Sequence, residues 1–157
     1  MKINLNLSES LAKGLDFVES KNPYLLILFP FIVPLVGQFF LSSSPVKDEV
    51  FYYSELIKFG ESYPNWIESI ESMTQSMGPV FFMVFGGIGN VVDYSIVILR
   101  LLNIVCGILV VVVLYKIFRE YLTRPILCTF WFTVNPYFLL LTTPYLYTDN
   151  LAILFTF

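Results

Sequence analysis

The stretch Ser95-Ile-Val-Ile-Leu-Arg-Leu-Leu-Asn-Ile-Val-Cys-Gly-Ile-Leu-Val-Val-Val-Val-Leu-Tyr115 decides the fold of this chain. It carries one charged residue, Arg100, and is long enough for a helix to cross a bilayer, which takes roughly 20 apolar residues. The whole chain is 57% hydrophobic and 13% charged, with a mean hydropathy of +0.75, whereas soluble domains average about 25% charged residues. We therefore predict an all-α integral membrane protein, built as a polytopic helical bundle.

The residues that follow this stretch indicate its orientation. Lys116, Arg119 and Arg124 lie close together in the sequence, and clustered basic residues are typical of the cytoplasmic side of a membrane protein. We predict a span over residues 95–116, followed by a short cytoplasmic loop that ends at Arg124. This span is the second of the chain, and its first end faces the non-cytoplasmic side.

Two further apolar runs follow the basic loop. Residues 125–143 predict a third span, which returns to the outside, and the hexapeptide Tyr145-Leu-Tyr-Thr-Asp-Asn150 then forms an outer loop. A fourth span is expected to start at residue 150. Because Leu151–Phe157 is much shorter than the roughly 20 residues of a spanning helix, we expect the chain to be the N-terminal part of a longer polytopic protein.

The residues before the central stretch predict a first span and a surface segment. Residues 24–42 contain no charged side chain and form the first span, which Pro30 and Pro34 are expected to kink. Residues 1–22 mix apolar and charged positions, so we interpret them as a cytoplasmic N-terminal segment that lies on the membrane surface.

Residues 44–94 connect the first two predicted spans and are strongly acidic, which favours the non-cytoplasmic side. Two surface-lying helices are expected in this outer loop, one over residues 48–58 and one that begins at Pro64. Residues 79–92 are apolar, but as a helix they reach only about 21 Å against roughly 30 Å of hydrocarbon, so we predict that this helix does not cross. The acidic residues of the loop are Asp48, Glu49, Glu55, Glu61, Glu68, Glu71 and Asp93.

The composition excludes several classes of site from this stretch of chain. There is no histidine, which excludes a Ser-His-Asp triad and a histidine-based zinc or haem site. Cys106 and Cys128 both lie in apolar runs and are typical of small core residues rather than of a disulfide or metal framework. No basic stripe with interleaved aromatic residues is present, so we expect no nucleic acid partner.

Two acidic sites in the predicted outer loops are candidates for chemistry. Asp48 and Glu49 open the first outer loop, where a carboxylate can act as a general base or hold a divalent cation over a phosphate. Their other interpretation is the favourable placement of acids at the start of a helix. Asp149, the one acid after Glu120, either contributes to the same site or caps the start of the fourth span.

Arg100 and the loop tyrosines also have two interpretations each. An arginine near the outer end of a span either extends its head to the lipid headgroups or binds a phosphate bidentately. Tyr52, Tyr53 and Tyr147 either belong to an interfacial aromatic belt or contact a sugar substrate.

Taken in order along the chain, these motifs resemble those of the GT-C glycosyltransferases. The similarity covers residues 23–157, and its sugar and acceptor stay open. Within the superfamily it is divided between two groups: the family of protein O-mannosyltransferases and aminoarabinose transferases, and the dolichyl-phosphate-glucose α-1,2-glucosyltransferases. The motifs are Asp48-Glu49, Tyr52-Tyr53, Gly78-Pro79-Val-Phe-Phe82, Leu99-Arg-Leu-Leu-Asn103 and Tyr147-Thr-Asp149.

The resemblance implies a GT-C-like transmembrane domain that takes a sugar from a polyprenyl- or dolichyl-phosphate carrier at the non-cytoplasmic face. In that family's scheme, Asp48 is the catalytic base and Glu49 supports it. Asp149 lies at the metal or the acceptor, and Asp48 with Asp149 are the candidate ligands of a divalent cation, Mg²⁺ or Mn²⁺. Arg100 binds the carrier phosphate.

Two other functional classes fit the same sequence. In a transporter or channel subunit, Arg100 and Asp149 would line a substrate path, and a non-enzymatic assembly subunit would carry similar spans. For an enzyme, we expect a multi-pass location in the plasma membrane of a prokaryote or the endoplasmic reticulum of a eukaryote. We also expect these 157 residues to be inactive by themselves.

Overall fold

The computed structural model describes residues 9–45, 49–73 and 79–136, together with Phe138 and Tyr145. These residues are mostly helical and contain no β-strand, which confirms the predicted all-α class. The helices are α1 (Glu9–Lys21), α2 (Pro23–Leu28), a short 3-10 helix (Phe29–Phe31), α3 (Ile32–Gly37), α4 (Glu49–Glu61), α5 (Ile67–Glu71), α6 (Val80–Val91), α7 (Ile96–Tyr121) and α8 (Pro125–Thr133).

Helix α7 is the axis of the fold. It has 26 residues, which at 1.5 Å per residue span about 39 Å. Within the described residues it is the one helix long and apolar enough to cross a membrane. The predicted end at residue 116 is too early: the helix continues to Tyr121, because no helix breaker precedes Pro125. The predicted basic loop is therefore reduced to residues 122–124, and Arg119 lies on the helix.

The first apolar segment runs antiparallel to α7 and is kinked as expected. The 3-10 helix around Pro30 separates α2 from α3, because proline cannot donate the backbone hydrogen bond that a continuous helix needs. The ring of Tyr24 contacts Tyr115 edge-on at 5.6 Å, near the far end of α7. Helical structure ends at Gly37, short of the predicted boundary at residue 42.

Helix α8 turns back along α7 and also packs against α2. It starts at Pro125, as predicted, but it ends at Thr133, and Val134 and Asn135 are not helical. The predicted third span extends without a break to residue 143. Residues 139–143 lie outside the described part of the chain. Ile126 is buried in the same apolar cluster as Tyr115. An ion pair between Asp16 and Arg124 attaches α1 to this end of the bundle.

Helices α4 and α6 pack closely against each other beside the first half of α7. Glycines make this approach possible: a Cβ atom at Gly86 would lie 2.8 Å from the carbonyl oxygen of Leu56, and one at Gly60 would lie 2.6 Å from the carbonyl oxygen of Gly86. Helix α6 has 12 residues, about 18 Å, so it is too short to cross a bilayer unaided.

The turn between α6 and α7 is held by Tyr94. Asp93 and Tyr94 have φ angles of 51° and 52°, a left-handed conformation that is uncommon for residues other than glycine. The ring of Tyr94 packs against Gly89, and the hydroxyl group of Tyr53 donates to the carbonyl oxygen of Tyr94 at 2.5 Å. Burial, then Glu61 and Tyr53, raise the pKa of the Tyr94 hydroxyl.

The helix predicted to begin at Pro64 begins later. Trp66 precedes α5, which starts at Ile67. The indole N–H of Trp66 donates to the carbonyl oxygen of Phe59 at 3.1 Å, so the ring is fixed against α4. Gly78, which opens the Gly78-Pro79-Val-Phe-Phe82 motif, lies outside the described part of the chain.

Candidate functional site

Arg100 lies in the second turn of α7 and, among the residues that the structure describes, is the largest fully buried side chain, with 0% exposure. Its guanidinium group donates four hydrogen bonds. Nε and Nη2 donate to Oε1 and Oε2 of Glu49 at 2.9 and 2.6 Å. Nη1 donates to the carbonyl oxygen of Ser42 at 2.6 Å, and Nη2 also donates to that of Ser44 at 3.2 Å. The positive charge is thus paired and solvated by the protein itself.

Glu49 supplies the negative charge from the first turn of α4. Its residue exposure is 0%, and both carboxylate oxygens face the planar fork of the guanidinium in the bidentate geometry that is strongest for such pairs. A buried carboxylate is costly unless it is paired and hydrogen-bonded. The contact therefore fixes the start of α4 against α7.

The carbonyl groups of Ser42 and Ser44 join a third segment to this cluster. They lie after the end of α3, where backbone carbonyls have no partners within a helix. Because Arg100 binds both of them and Glu49, one side chain holds the end of the first apolar segment, the start of α4 and the first turns of α7 together.

Asn103 extends the polar face of α7 by one turn. It is fully buried, and its Nδ2 donates to the carbonyl oxygen of Tyr145 at 2.6 Å. Asn103 is three positions after Arg100, so the two side chains start about 4.5 Å apart along the axis and share a face. The segment at Tyr145 is therefore attached to the same end of α7 as Glu49.

The structure brings two of the predicted site residues together and leaves others outside its described part. Glu49 and Arg100 are in direct contact. Asp48, Asp149 and Tyr147 lie outside the described residues. The roles of base and metal ligand for Asp48, of metal or acceptor residue for Asp149 and of substrate contact for Tyr147 therefore stay predictions.

The two predicted substrate tyrosines of α4 face the protein. Tyr52 and Tyr53 are half-buried and pack against the apolar cluster that α4, α6 and α7 share. Among the described residues, no group of three or more His, Cys, Asp or Glu side chains lies close enough to hold a metal ion.

Sequence reasoning missed the pairing of Glu49 with Arg100 and the contact of Asn103. The two partners of the ion pair are 51 positions apart, and nothing local to either residue names the other. A signal for Asn103 existed, since a carboxamide in an apolar stretch, one turn after an arginine, is costly in a membrane helix unless it has a partner.

No protein-family model, curated protein or solved structure matches this chain. The chemistry of the cluster around Arg100 is therefore the basis for a functional conclusion.

Proposed function

We propose that this chain belongs to a polytopic GT-C-like glycosyltransferase. It moves a sugar from a polyprenyl- or dolichyl-phosphate donor to an acceptor hydroxyl at the non-cytoplasmic face of a membrane. The observation that supports this most is the attachment of two loops to neighbouring turns of α7, one through Glu49 and Arg100 and the other through Tyr145 and Asn103.

These two attachments limit how far the predicted acids can lie from α7, because each acid is close in sequence to an attached residue. Asp48 directly precedes Glu49, and Asp149 is four residues after Tyr145. Because an extended chain covers at most about 3.6 Å per residue, the Cα atom of Asp149 is within about 14 Å of that of Tyr145. We therefore propose that both acids lie near one end of α7, as a shared site requires.

The proposed reaction needs a base close to the acceptor. A new bond forms between the acceptor oxygen and the anomeric carbon, while the bond from that carbon to the donor phosphate breaks and the phosphate leaves with the electron pair. Asp48 takes the acceptor proton. A divalent cation bound by Asp48 and Asp149 would neutralise charge on the departing phosphate.

The distribution of charge favours the proposed orientation. Arg119 and Arg124 are at the second end of α7, and the Asp16–Arg124 ion pair places α1 there too. Basic residues favour the cytoplasmic side, so the end with Glu49 and Arg100 faces outward. A carrier lipid fixes its phosphate at headgroup depth, where this end of the helix would lie.

The transporter alternative is less well supported by the same geometry. A side chain that lines a substrate path must be reachable, whereas Arg100 is fully buried and has four donated hydrogen bonds. An assembly subunit without activity has no need of Asp48, so the experiment below separates it from an enzyme.

The test is sugar transfer by membranes that contain the protein at its natural length. A panel of labelled polyprenyl-phosphate sugars serves as donor, and Asp48→Asn is compared with Asp93→Asn, a control in an exposed acid of the same outer loop. We expect Asp48→Asn to lower kcat at least about 100-fold, which is typical of the loss of a general base, and Asp93→Asn to retain activity. Equal activity in both variants would exclude Asp48 as the base.

A further inference from the structure

Asn103 and Arg100 lie on one face of α7, and each side chain binds a different loop. Arg100 holds the loop that opens with the acidic dipeptide, and Asn103 holds the backbone at Tyr145. Each uses a side chain of α7 to fix a segment that is distant in the sequence.

The identity of the bonded groups shows why these side chains suit the task. Asn103 binds a backbone carbonyl, so its contact depends on where the Tyr145 segment runs and not on which side chain that segment carries. Arg100 likewise binds two backbone carbonyls, of Ser42 and Ser44. Contacts of this type set the path of a loop.

The burial of both side chains makes these contacts difficult to replace. Arg100 and Asn103 have 0% exposure, so water does not compete for their donors. A lost partner at such a site leaves a buried polar group unsatisfied. The loops are therefore held by bonds that the fold cannot exchange for solvent.

We propose that Asn103 is a positioning residue that holds the loop bearing Asp149 beside the loop bearing Asp48, and that Arg100 positions the latter instead of binding a phosphate. Neither residue touches the reacting atoms in this assignment. The catalytic meaning of the arrangement rests on the proposed glycosyltransferase function, but the placement of the loops does not.

The test is a crosslinking rate that needs no substrate. Asp48→Cys and Asp149→Cys are combined in the full chain, with Cys106→Ala and Cys128→Ala, and membranes are treated with a short bis-maleimide. We expect efficient crosslinking, and a rate about fivefold lower when Asn103→Leu is added, as for the loss of about 1 kcal/mol of hydrogen bonding. Absence of crosslinking, or an unchanged rate in Asn103→Leu, would overturn the assignment.

Two controls separate positioning from general loss of structure. In a second cysteine variant of this protein, Tyr24→Cys and Tyr115→Cys replace a ring contact at the other end of α7. Adding Asn103→Leu is expected to leave the rate of that crosslink unchanged. An equal loss at both pairs would show general unfolding and reject the positioning role. Asn103→Gln keeps the amide donor and is expected to restore at least half of the rate; failure of this rescue would count against the amide.

The same experiment distinguishes this inference from the proposed function. If crosslinking responds to Asn103 while Asp48→Asn keeps full transfer activity, the positioning role stands and the glycosyltransferase proposal fails. If Asp48→Asn abolishes transfer while the crosslinking rate is unchanged in Asn103→Leu, the function stands and the positioning role fails.

Discussion

An ion pair near each end of α7 joins segments that are distant in the sequence, and the two pairs differ in burial. At the first end, Glu49 and Arg100 have side-chain exposures of 0% and 1%. At the second end, Asp16 and Arg124 have exposures of 59% and 22%. The same chemistry is therefore present in a dry and in a wet environment within one chain.

The difference shows which end of the bundle depends on its charges. Water and salt screen an exposed pair, so its net contribution is small. A buried pair gains little over apolar residues of the same volume, but loss of one partner leaves an uncompensated charge. We therefore expect the first end to require both partners and the second end to tolerate changes.

Removal of Arg100 is expected to have the largest effect. Arg100→Met leaves Glu49 buried without its partner and should lower the free energy of unfolding by about 3–5 kcal/mol. Reversible unfolding in mixed micelles measures the change. The double variant Glu49→Met/Arg100→Met removes both charges and is expected to recover most of the loss; a double variant as unstable as the single one would contradict the buried-charge explanation.

Substitution of a glycine compares packing at the two ends. Gly86→Ala places a Cβ atom 2.8 Å from the carbonyl oxygen of Leu56 and should destabilise the protein by about 1–3 kcal/mol through overpacking. Gly14 in α1 has nothing within 4 Å of the same position, so Gly14→Ala should stabilise it by up to about 1 kcal/mol through helix propensity. Similar unfolding midpoints for the two variants would show that the backbones of α4 and α6 are farther apart than the 2.8 Å contact at Gly86 implies.

The smallest effect is expected at the exposed pair. Asp16→Asn should change the free energy of unfolding by less than about 1 kcal/mol, and the change should diminish in high salt. Unfolding at two salt concentrations checks this. A loss as large as that of Arg100→Met would mean that α1 is held in a drier site than its exposure indicates.

Local patterns in the sequence were enough to predict much of the helical layout. The central apolar stretch gave α7, Pro30 gave the kink in the first segment, and Pro125 gave the start of α8. Boundaries were less accurate, as at Tyr121, because basic side chains continue a helix as readily as they end one.

The site was predictable only in part, because its contacts are long-range. The sequence marked Glu49 and Arg100 as separate candidates, but whether they meet depends on how α4 packs on α6 and α7. Gly86 has a low helix propensity, but its missing side chain permits the backbone of α4 to approach. Partners of this kind are determined by tertiary packing and not by neighbours in the chain.

The central claim is that residues 48 and 149 lie on the same side of the membrane, at one end of α7. Its most direct test is compartment-specific labelling of single cysteines in intact, oriented membranes. Cysteines at positions 48, 149 and 119 are treated with a maleimide that does not cross the bilayer. We expect positions 48 and 149 to be labelled from one side and position 119 from the opposite side. Labelling of positions 48 and 149 from opposite sides would contradict the arrangement on which the proposed function depends.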